Sequence, residues 1–422
     1  MANEQGLLKQ TIFAKQTSGL GVPAATGGKI KRRTSAVFSK MVDTYESNEI
    51  VSHQQSTGAN AGIVKTSGKL DGLISPSTFS EQFASLLRKD NAATTPGSAI
   101  ATLTVASSGT VNDWTLTRGA GDFLADGIKV GDVIRLTAAT INVLNGGTTT
   151  GAAKNILVLS VTATVIIARA LNGTALFAQA ITNCTVTVMG KKTWTPISGH
   201  TNDYWTVEEW YSGISRSEVF RDCKIAKADI TVPATGNATV SFDVPGLGRT
   251  EGASQYMTSP TVETSTAVLT AVNGVICIFG GAADNTVQPI PVTGIQFSID
   301  GHIQPGEAEV GTNQIGDHIR GEISVSGQFT AKFSSTNMQQ LFTGQTLSTI
   351  IVVLTDGAAD AANFVSFVIP QVKLFGDTPD DGEAKEIVRT YPFTAQIPSA
   401  SVGGTALAHN QTIISIQDSQ AP

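Results

Sequence analysis

The sequence predicts an all-β protein with a minor helical part, built from two tandem β-domains and a small inserted β-domain. Composition is the first indication: charged residues make up 15 % of the 422 residues and glycine accounts for 42 of them, which suits short strands joined by tight turns. The second is a repeat at a constant offset of 259 residues, in which Ser67–Ser75 recurs as Ser326–Ser334. A one-residue slip would move every side chain of a strand to the wrong face, so the shared pattern predicts the same β-unit twice.

The evidence for the repeat is the placement of apolar and small residues along the strands, more than identical residues at matched positions. The offset continues on both sides, and both copies place apolar or small residues on the same face. The matched positions are Val64 and Ile323, Leu70 and Phe329, Gly72 and Ala331, and Ile74 and Phe333. A duplicated unit favours symmetric assembly over catalysis.

The elements follow in order along the chain. Residues 1–35 are rich in Gly, Thr and Ser and are predicted to form an extended N-terminal arm. After the first strands, Ser75 is expected to cap a helix that has Pro76 at its first position. The apolar residues with helical spacing are Phe79, Phe83, Leu86 and Leu87 in this copy, and Met338, Leu341 and Phe342, ending at Gly344, in the second.

Composition changes after the linker Asn91–Ser98. Residues 96–191 hold short runs of Ala, Thr, Val, Ile and Leu that have no counterpart in the second copy, so they are predicted to be the inserted β-domain. The first domain then comprises residues 1–95 and 192–255, and the second comprises residues 256–422. A hairpin is expected in the first domain, where two alternating strands flank a turn at Gly236–Asn237.

Charge argues against a nucleic-acid-binding surface. The net charge is −6; residues 1–92 hold 11 Lys and Arg against 7 Asp and Glu, and the rest of the chain holds 17 against 27. Lys29–Arg33 is the only dense basic cluster. Because a basic face supplies the sequence-independent affinity for phosphates, any contact with DNA is expected to be non-adhesive.

No catalytic, cofactor or metal site is predicted. The histidines lack paired spacing, and Glu208 and Glu209 point to opposite faces of a strand, so they cannot flank one bond and are interpreted as an edge or interface feature. The acidic stretch Asp377–Glu383 does not fit an EF-hand and is interpreted as a solvated turn. The histidines are His53, His200, His302, His318 and His409.

The remaining features concern compartment and membrane. Cys184, Cys223 and Cys277 are odd in number and far apart, which predicts buried free thiols. The longest apolar stretch, Ile156–Leu171, is interrupted by polar residues and is interpreted as two strands, not a membrane span. No signal peptide is apparent, so we expect a soluble protein made in a cytoplasm.

Several segments together resemble the tail tube proteins of long-tailed, siphovirus-like bacteriophages. The segments are Thr17–Pro23, Tyr45–Ile50, Ser67–Leu70, Trp205–Glu209 and Phe220–Ile225. The resemblance covers most of residues 1–95 and 192–422. It implies β-sandwich domains whose inner sheets join into a barrel around a lumen, with the helix outside and the rings connected by the arm and a long loop. The insert, which follows the external helix, is then expected to face outward.

The resemblance also implies a function without catalysis. Rings would stack into a hollow tube that encloses the tape-measure protein, ends at the tail terminator and distal tail proteins, and conducts double-stranded DNA without specific binding during genome ejection. A pseudo-sixfold ring of two-domain chains needs three copies, sixfold inside and threefold outside; a hexameric ring is the alternative. The lumen is expected to be polar or acidic, and the protein to be assembled in the host cytoplasm and located in the virion.

A second hypothesis is a receptor- or carbohydrate-binding tail component. Aromatic side chains form sugar platforms, although core and interface packing is the more common use of such residues. The candidates are Trp194, Tyr204, Trp205, Trp210 and Tyr211. A β-sandwich glycosidase is a third hypothesis, and the sequence lacks a suitable pair of carboxylates for it.

Overall fold

Strands dominate the chain. A computed structural model describes residues 5–50, 52, 55, 58–95, 97–110, 112–147, 153–172, 175–280, 291–334, 336–380, 382, 386–398 and 411–422. Within these residues only two short α-helices and one 3-10 helix accompany the strands. The all-β prediction is therefore confirmed.

The elements before the insert are β1 (Lys9–Lys15), β2 (Lys29–Ile30), β3 (Ser35–Glu46), β4 (Ala59–Leu73), α1 (Ser80–Leu87) and β5 (Ala92–Ala93). The insert contributes β6 (Ile100–Ser107), β7 (Asp113–Arg118), β8 (Val133–Thr137), β9 (Gly146–Gly147), β10 (Ile156–Val161), β11 (Val165–Ala170) and β12 (Gln179–Val188). The next strands are β13 (Lys191–Trp194), β14 (Trp205–Tyr211), β15 (Arg216–Cys223), β16 (Lys227–Pro233), β17 (Thr239–Asp243) and β18 (Gly248–Gly252).

The rest of the chain begins with the 3-10 helix Ala271–Asn273. It continues with β19 (Gly274–Gly280), β20 (Val292–Asp300), β21 (Ile303–Pro305), β22 (His318–Arg320), β23 (Ser324–Lys332), α2 (Asn337–Thr343), β24 (Ser348–Thr355), β25 (Phe364–Leu374), β26 (Thr378–Asp380), β27 (Val388–Ala395) and β28 (Ser415–Asp418). The predicted hairpin is β16–β17, and the apolar stretch 156–171 forms the two strands β10 and β11.

The largest sheet has 14 strands and runs through both predicted repeat units. Its main path is β3-β4-β17-β16-β20-β23-β27-β25-β28-β13-β5, with β19, β24 and β26 attached beside it. The units meet where β16 pairs antiparallel with β20, from Lys227 opposite Asp300 to Pro233 opposite Gly294. One continuous sheet therefore carries both copies of the repeat.

The two copies pair their strands in the same register. Phe38 stands opposite Gly68 in β3–β4, and Phe297 stands opposite Gly327 in β20–β23, so both residues of the pair shift by the offset of 259. A Cβ atom on Gly68 would lie 2.1 Å from Phe38 Cε1, and one on Gly327 would lie 2.6 Å from Phe297 Cβ. The Ser-Gly pair of the repeat thus leaves space for a phenylalanine on the neighbouring strand.

A single hydrophobic core joins the two units. Phe83 on α1 contacts Phe367 on β25 at a ring-centroid distance of 5.7 Å, and Phe297 on β20 contacts the same ring at 5.5 Å. Phe367 itself is fully buried. The two copies are therefore packed together and do not have separate cores, although each is long enough for one.

A second sheet corrects the prediction of an extended arm. It has the order β18-β15-β14-β1-β2, so β1 and β2 from residues 1–35 are part of the packed fold. Phe13 enters the main core, while Ile12 and Ala14 face a smaller cluster with Met257. Because both faces of β1 are covered, this strand lacks the polar–apolar alternation of a half-exposed strand, and the sequence pattern did not reveal it.

The strands β6–β12 form their own seven-stranded sheet with its own core. The face of this sheet that points away from its own core packs on the second unit. There Leu157 and Leu159 of β10 share a hydrophobic cluster with Ile351, Val353 and Phe364. The insert is therefore attached through an apolar interface and is not a loosely tethered decoration. Its direction relative to a tube stays a prediction, as does the division into domains at residues 96, 191 and 256.

Two local predictions are wrong: the helix cap at Ser75 and the position of Phe333 on the apolar face shared with Ile74. Helix α1 begins at Ser80, because Ser75 bonds the Thr78 hydroxyl at 2.7 Å in a preceding turn instead of capping the helix. Arg88 ends the helix in the left-handed conformation at φ 61°. Phe333 lies just beyond β23 and is 36 % exposed, where it contacts the Arg389 guanidinium.

Candidate functional site

Six neighbouring strands of the large sheet present one polar surface. In β16, for example, Ala228 and Ile230 are buried, whereas Lys227, Asp229 and Thr231 lie on the opposite face. The residues of this surface, called the polar face below, are Lys69, Asp71, Lys227, Asp229, Thr231, Thr239, Ser241, Asp243, Gln296, Ser298, Asp300, Ser326, Gln328, Thr330, Lys332, Thr390 and Thr394. Its charges are three lysines and four aspartates, so it has almost no net charge.

Opposite charges alternate along one row of the polar face. Lys69 stands opposite Asp243, Asp243 opposite Lys227, and Lys227 opposite Asp300 on successive strands. Lys227 Nζ also lies 3.0 Å from Asp229 Oδ1. That hydrogen bond, helped by Asp243 and Asp300, raises the pKa of Lys227, while partial burial raises the pKa of Asp243. Each cation is thus neutralised within the row.

Hydroxyl contacts order the rest of the polar face. Ser241 donates to Asp71 at 2.6 Å, and the Thr330 and Thr390 hydroxyls are 3.0 Å apart across β23 and β27. A shallow groove of about 610 Å³ lies over these strands, with Phe375 at its rim. The surface is therefore concave, polar and internally hydrogen-bonded. Its residues were missed as functional candidates in the sequence, although the alternating polar positions of β16, β17 and β20 were present there.

The only dense basic cluster faces the interior of the chain. Lys31 is buried and donates to the Thr78 carbonyl at 3.1 Å, and burial lowers its pKa to about 8. Arg32 and Arg33 donate to backbone carbonyls, and Lys29 pairs with Glu81 at 2.7 Å. These cations stabilise the fold and do not form a surface for phosphates.

The two adjacent glutamates are structural. Glu208 is fully buried and accepts hydrogen bonds from the Ser217 hydroxyl at 2.6 Å and from the backbone of Tyr256 and Met257 at 2.7 and 2.8 Å. Glu209 pairs with Lys9 at 2.6 Å, although burial still raises its pKa. Since β14 lies between β1 and β15, the interpretation of this pair as an edge feature is wrong.

The other candidate residues are dispersed. Within the described residues no group of three or more His, Cys, Asp or Glu side chains is placed to hold a metal ion. His318 is buried, which lowers its pKa, and Lys224 lowers it further. Asp377 is paired with Arg389 at 2.5 Å, and the three cysteines are buried free thiols, as predicted. His53, His409, Asp381 and Glu383 lie outside the described residues.

The aromatic residues proposed as a sugar platform have separate internal roles. Trp205 is buried in the core, where its ring contacts Phe13 at 6.2 Å. The Tyr204 hydroxyl donates to Asp317 at 2.6 Å, and the Tyr211 hydroxyl to Glu209 at 3.0 Å. No observation therefore favours a carbohydrate-binding surface built from these side chains.

The fold and the polar face are those of a structural β-protein. The profile of the family described as phage tail tube protein matches residues 6–395. The chain therefore belongs to the phage tail tube protein family, and it is a structural component of the phage tail that assembles with itself. A search of curated proteins found no match. Neither α-helix in the described part of the chain has the length and apolar character that crossing a membrane requires.

Proposed function

We propose that three copies of the chain form a pseudo-sixfold ring, and that stacked rings form the hollow tail tube that encloses the tape-measure protein and conducts DNA during genome ejection. The observation that carries this proposal is the repeat within one sheet. Two four-strand units, β3-β4-β17-β16 and β20-β23-β27-β26, follow each other side by side, and β25 also pairs with β27. Two equivalent sectors per chain give six sectors from three chains.

The polar face is the surface that faces the lumen in this proposal. Non-specific affinity for DNA comes from cations that neutralise phosphates and release counterions. Here the three lysines stand among four aspartates, and Lys227 is already hydrogen-bonded to Asp229. DNA is therefore expected to pass without being held, and the tape-measure protein to contact a hydroxyl- and amide-rich wall.

Negative-stain electron microscopy of the purified chain tests the proposal. The expected result is hollow tubes whose length increases with protein concentration, or short ring stacks where a nucleating tail protein is needed. Discrete particles that bind glycans would instead favour the receptor-binding alternative. Mass measurement of a single ring distinguishes three copies from the hexameric ring. Capping by the tail terminator and distal tail proteins is expected at the two ends of such tubes.

A further inference from the structure

Four strands of the large sheet, β3, β5, β19 and β26, pair on one side only among the described residues, and two of them, β3 and β26, lie at opposite ends of the tandem repeat units. Strand β3 pairs only with β4, and β26 pairs only with β27, among the strands that the structure describes. The side chains of β26 are exposed, as is Val37 of β3 at 62 %. An open edge presents unpaired N–H and C=O groups that a further strand can pair with.

The β16–β20 pairing inside the chain is an example of the strand pairing that could cover the edges of β3 and β26. β20 is the repeat counterpart of β3, because their residues differ by the offset of 259. β26 occupies the place of β16, because it flanks β27 as β16 flanks β17. The β16–β20 pairing therefore joins the last strand of one unit to the first strand of the next, and the same joint between chains would link β26 to β3.

We propose that β26 of one copy pairs antiparallel with β3 of a second copy, with Thr378 opposite Ser39 and Asp380 opposite Val37. The inference rests on the proposed ring and specifies how two chains join in it. The partner is another copy of this chain, because the internal β16–β20 joint supplies the pattern that the two edges would repeat.

The register follows from two rows of residues that lie opposite one another. In the first unit the row runs Asp71, Ser241, Asp229 and Ser298 across β4, β17, β16 and β20. In the second unit it runs Thr330, Thr390 and Thr378 across β23, β27 and β26. Thr330 is the repeat counterpart of Asp71, so Thr378 corresponds to Asp229. The residue opposite Thr378 is then the counterpart of Ser298, which is Ser39.

The side chains that meet in this register suit each other. Lys40, which is exposed, stands opposite Asp377, whose Oδ1 has no hydrogen-bond partner within the described residues. Val37 is the repeat counterpart of Gln296 and lies on the side of the polar face, where the neighbouring strand would cover the flank of its side chain. Pro379 has no N–H, so the ladder between chains loses one hydrogen bond relative to β16–β20, and a proline of this kind also limits pairing with unrelated strands.

Cysteine cross-linking of the full chain tests the register. Directly opposite residues of an antiparallel pair have Cα atoms about 4.5–5.5 Å apart, within the range that a disulfide spans. Ser39→Cys with Thr378→Cys, and independently Val37→Cys with Asp380→Cys, are expected to shift assembled protein to covalent dimers and trimers on non-reducing gels. Lys40→Cys with Thr378→Cys is the matched control, because these positions lie on opposite faces of the sheet. The native thiols are buried and are not expected to interfere.

The outcomes separate this inference from the proposed function. Tubes that form while both predicted pairs stay monomeric on the gel, or while the control pair cross-links equally, would overturn the register and leave the tube intact. A chain that forms no rings would instead count against the proposed function. If a cysteine pair prevents assembly, the strand register read from electron cryo-microscopy of unmodified tubes decides the matter: any neighbour of Thr378 other than Ser39 refutes the inference.

Discussion

One buried ion pair adds to the apolar contacts that attach the insert to the main fold. Lys192 Nζ on β13 lies 2.9 and 3.1 Å from the two carboxylate oxygens of Asp132, which precedes β8 of the insert. Both side chains are about 5 % exposed, and Asp132 also accepts the Lys129 N–H at 2.9 Å. The substitution Lys192→Met would leave the carboxylate buried without its cation. Removing one partner of a buried pair costs about 3–5 kcal/mol, so we expect a loss of that size in the free energy of unfolding.

The measurement is urea unfolding of the unassembled chain, followed by tryptophan fluorescence. Lys191→Met is the matched control, because it removes the neighbouring half-buried lysine, and it is expected to change the unfolding free energy by less than about 0.5 kcal/mol. Combining Asp132→Asn with Lys192→Met removes both charges and should restore much of the loss. Equal stability of the Lys192→Met and Lys191→Met variants would refute the reasoning.

Three further predictions concern charge and burial. Burial raises the pKa of Asp418 to about 6, so the native state binds this proton more tightly than the unfolded state does. The free energy of unfolding is therefore expected to fall by about 3 kcal/mol as the pH rises from about 4 to 6. Asp418→Asn should remove this fall, and a variant with the same pH profile as the unsubstituted chain would contradict the prediction. Asp229→Lys adds a cation to the polar face, so it should leave tubes intact but slow DNA release at low salt. Glu263→Lys changes an exposed residue off the polar face and should not slow DNA release. Equal slowing by both variants would count against a lumen-facing polar face. Burial raises the pKa of the Cys184 and Cys277 thiols to about 11. Thiol reagents at pH 8 should therefore label these thiols only after the chain unfolds. Rapid labelling of the folded chain would contradict this prediction.

The repeat could be predicted from the sequence because it depends on alternation within a strand. Phe38 and Gly68 recur as Phe297 and Gly327 at the offset of 259 residues. Each glycine lies where neighbouring strands approach closely. The hairpin β16–β17 was equally visible, since polar and apolar residues alternate on both sides of a glycine turn. Local periodicity is sufficient for such elements.

The sequence did not reveal features that depend on contacts between distant segments. Strand β1 is covered on both faces, so Ile12 and Phe13 gave no alternation, and its partner β14 lies nearly 200 residues away. The apolar residues of β10 that dock on Phe364 look like those of any buried strand. Ser75 resembles a helix cap in sequence, but its hydroxyl bonds Thr78 instead.

The polar face likewise depends on contacts between distant segments, so the sequence did not reveal it. Its residues lie on strands from five separate parts of the chain. The row of Lys69, Asp243, Lys227 and Asp300 exists only after β4, β17, β16 and β20 have paired. The net charge of −6 argues against a basic DNA-binding surface, and this stays a prediction. It could not show which lysines would be neutralised by which aspartates.

Electron cryo-microscopy of assembled tubes tests the central claim most directly, because it counts the chains in a ring and identifies the residues that line the bore. The account predicts three chains per ring, a wall of six equivalent sectors, and the polar face with Asp229, Gln296 and Ser326 turned toward the lumen. Six chains per ring, or a bore lined by lysine and arginine side chains from another surface, would contradict it.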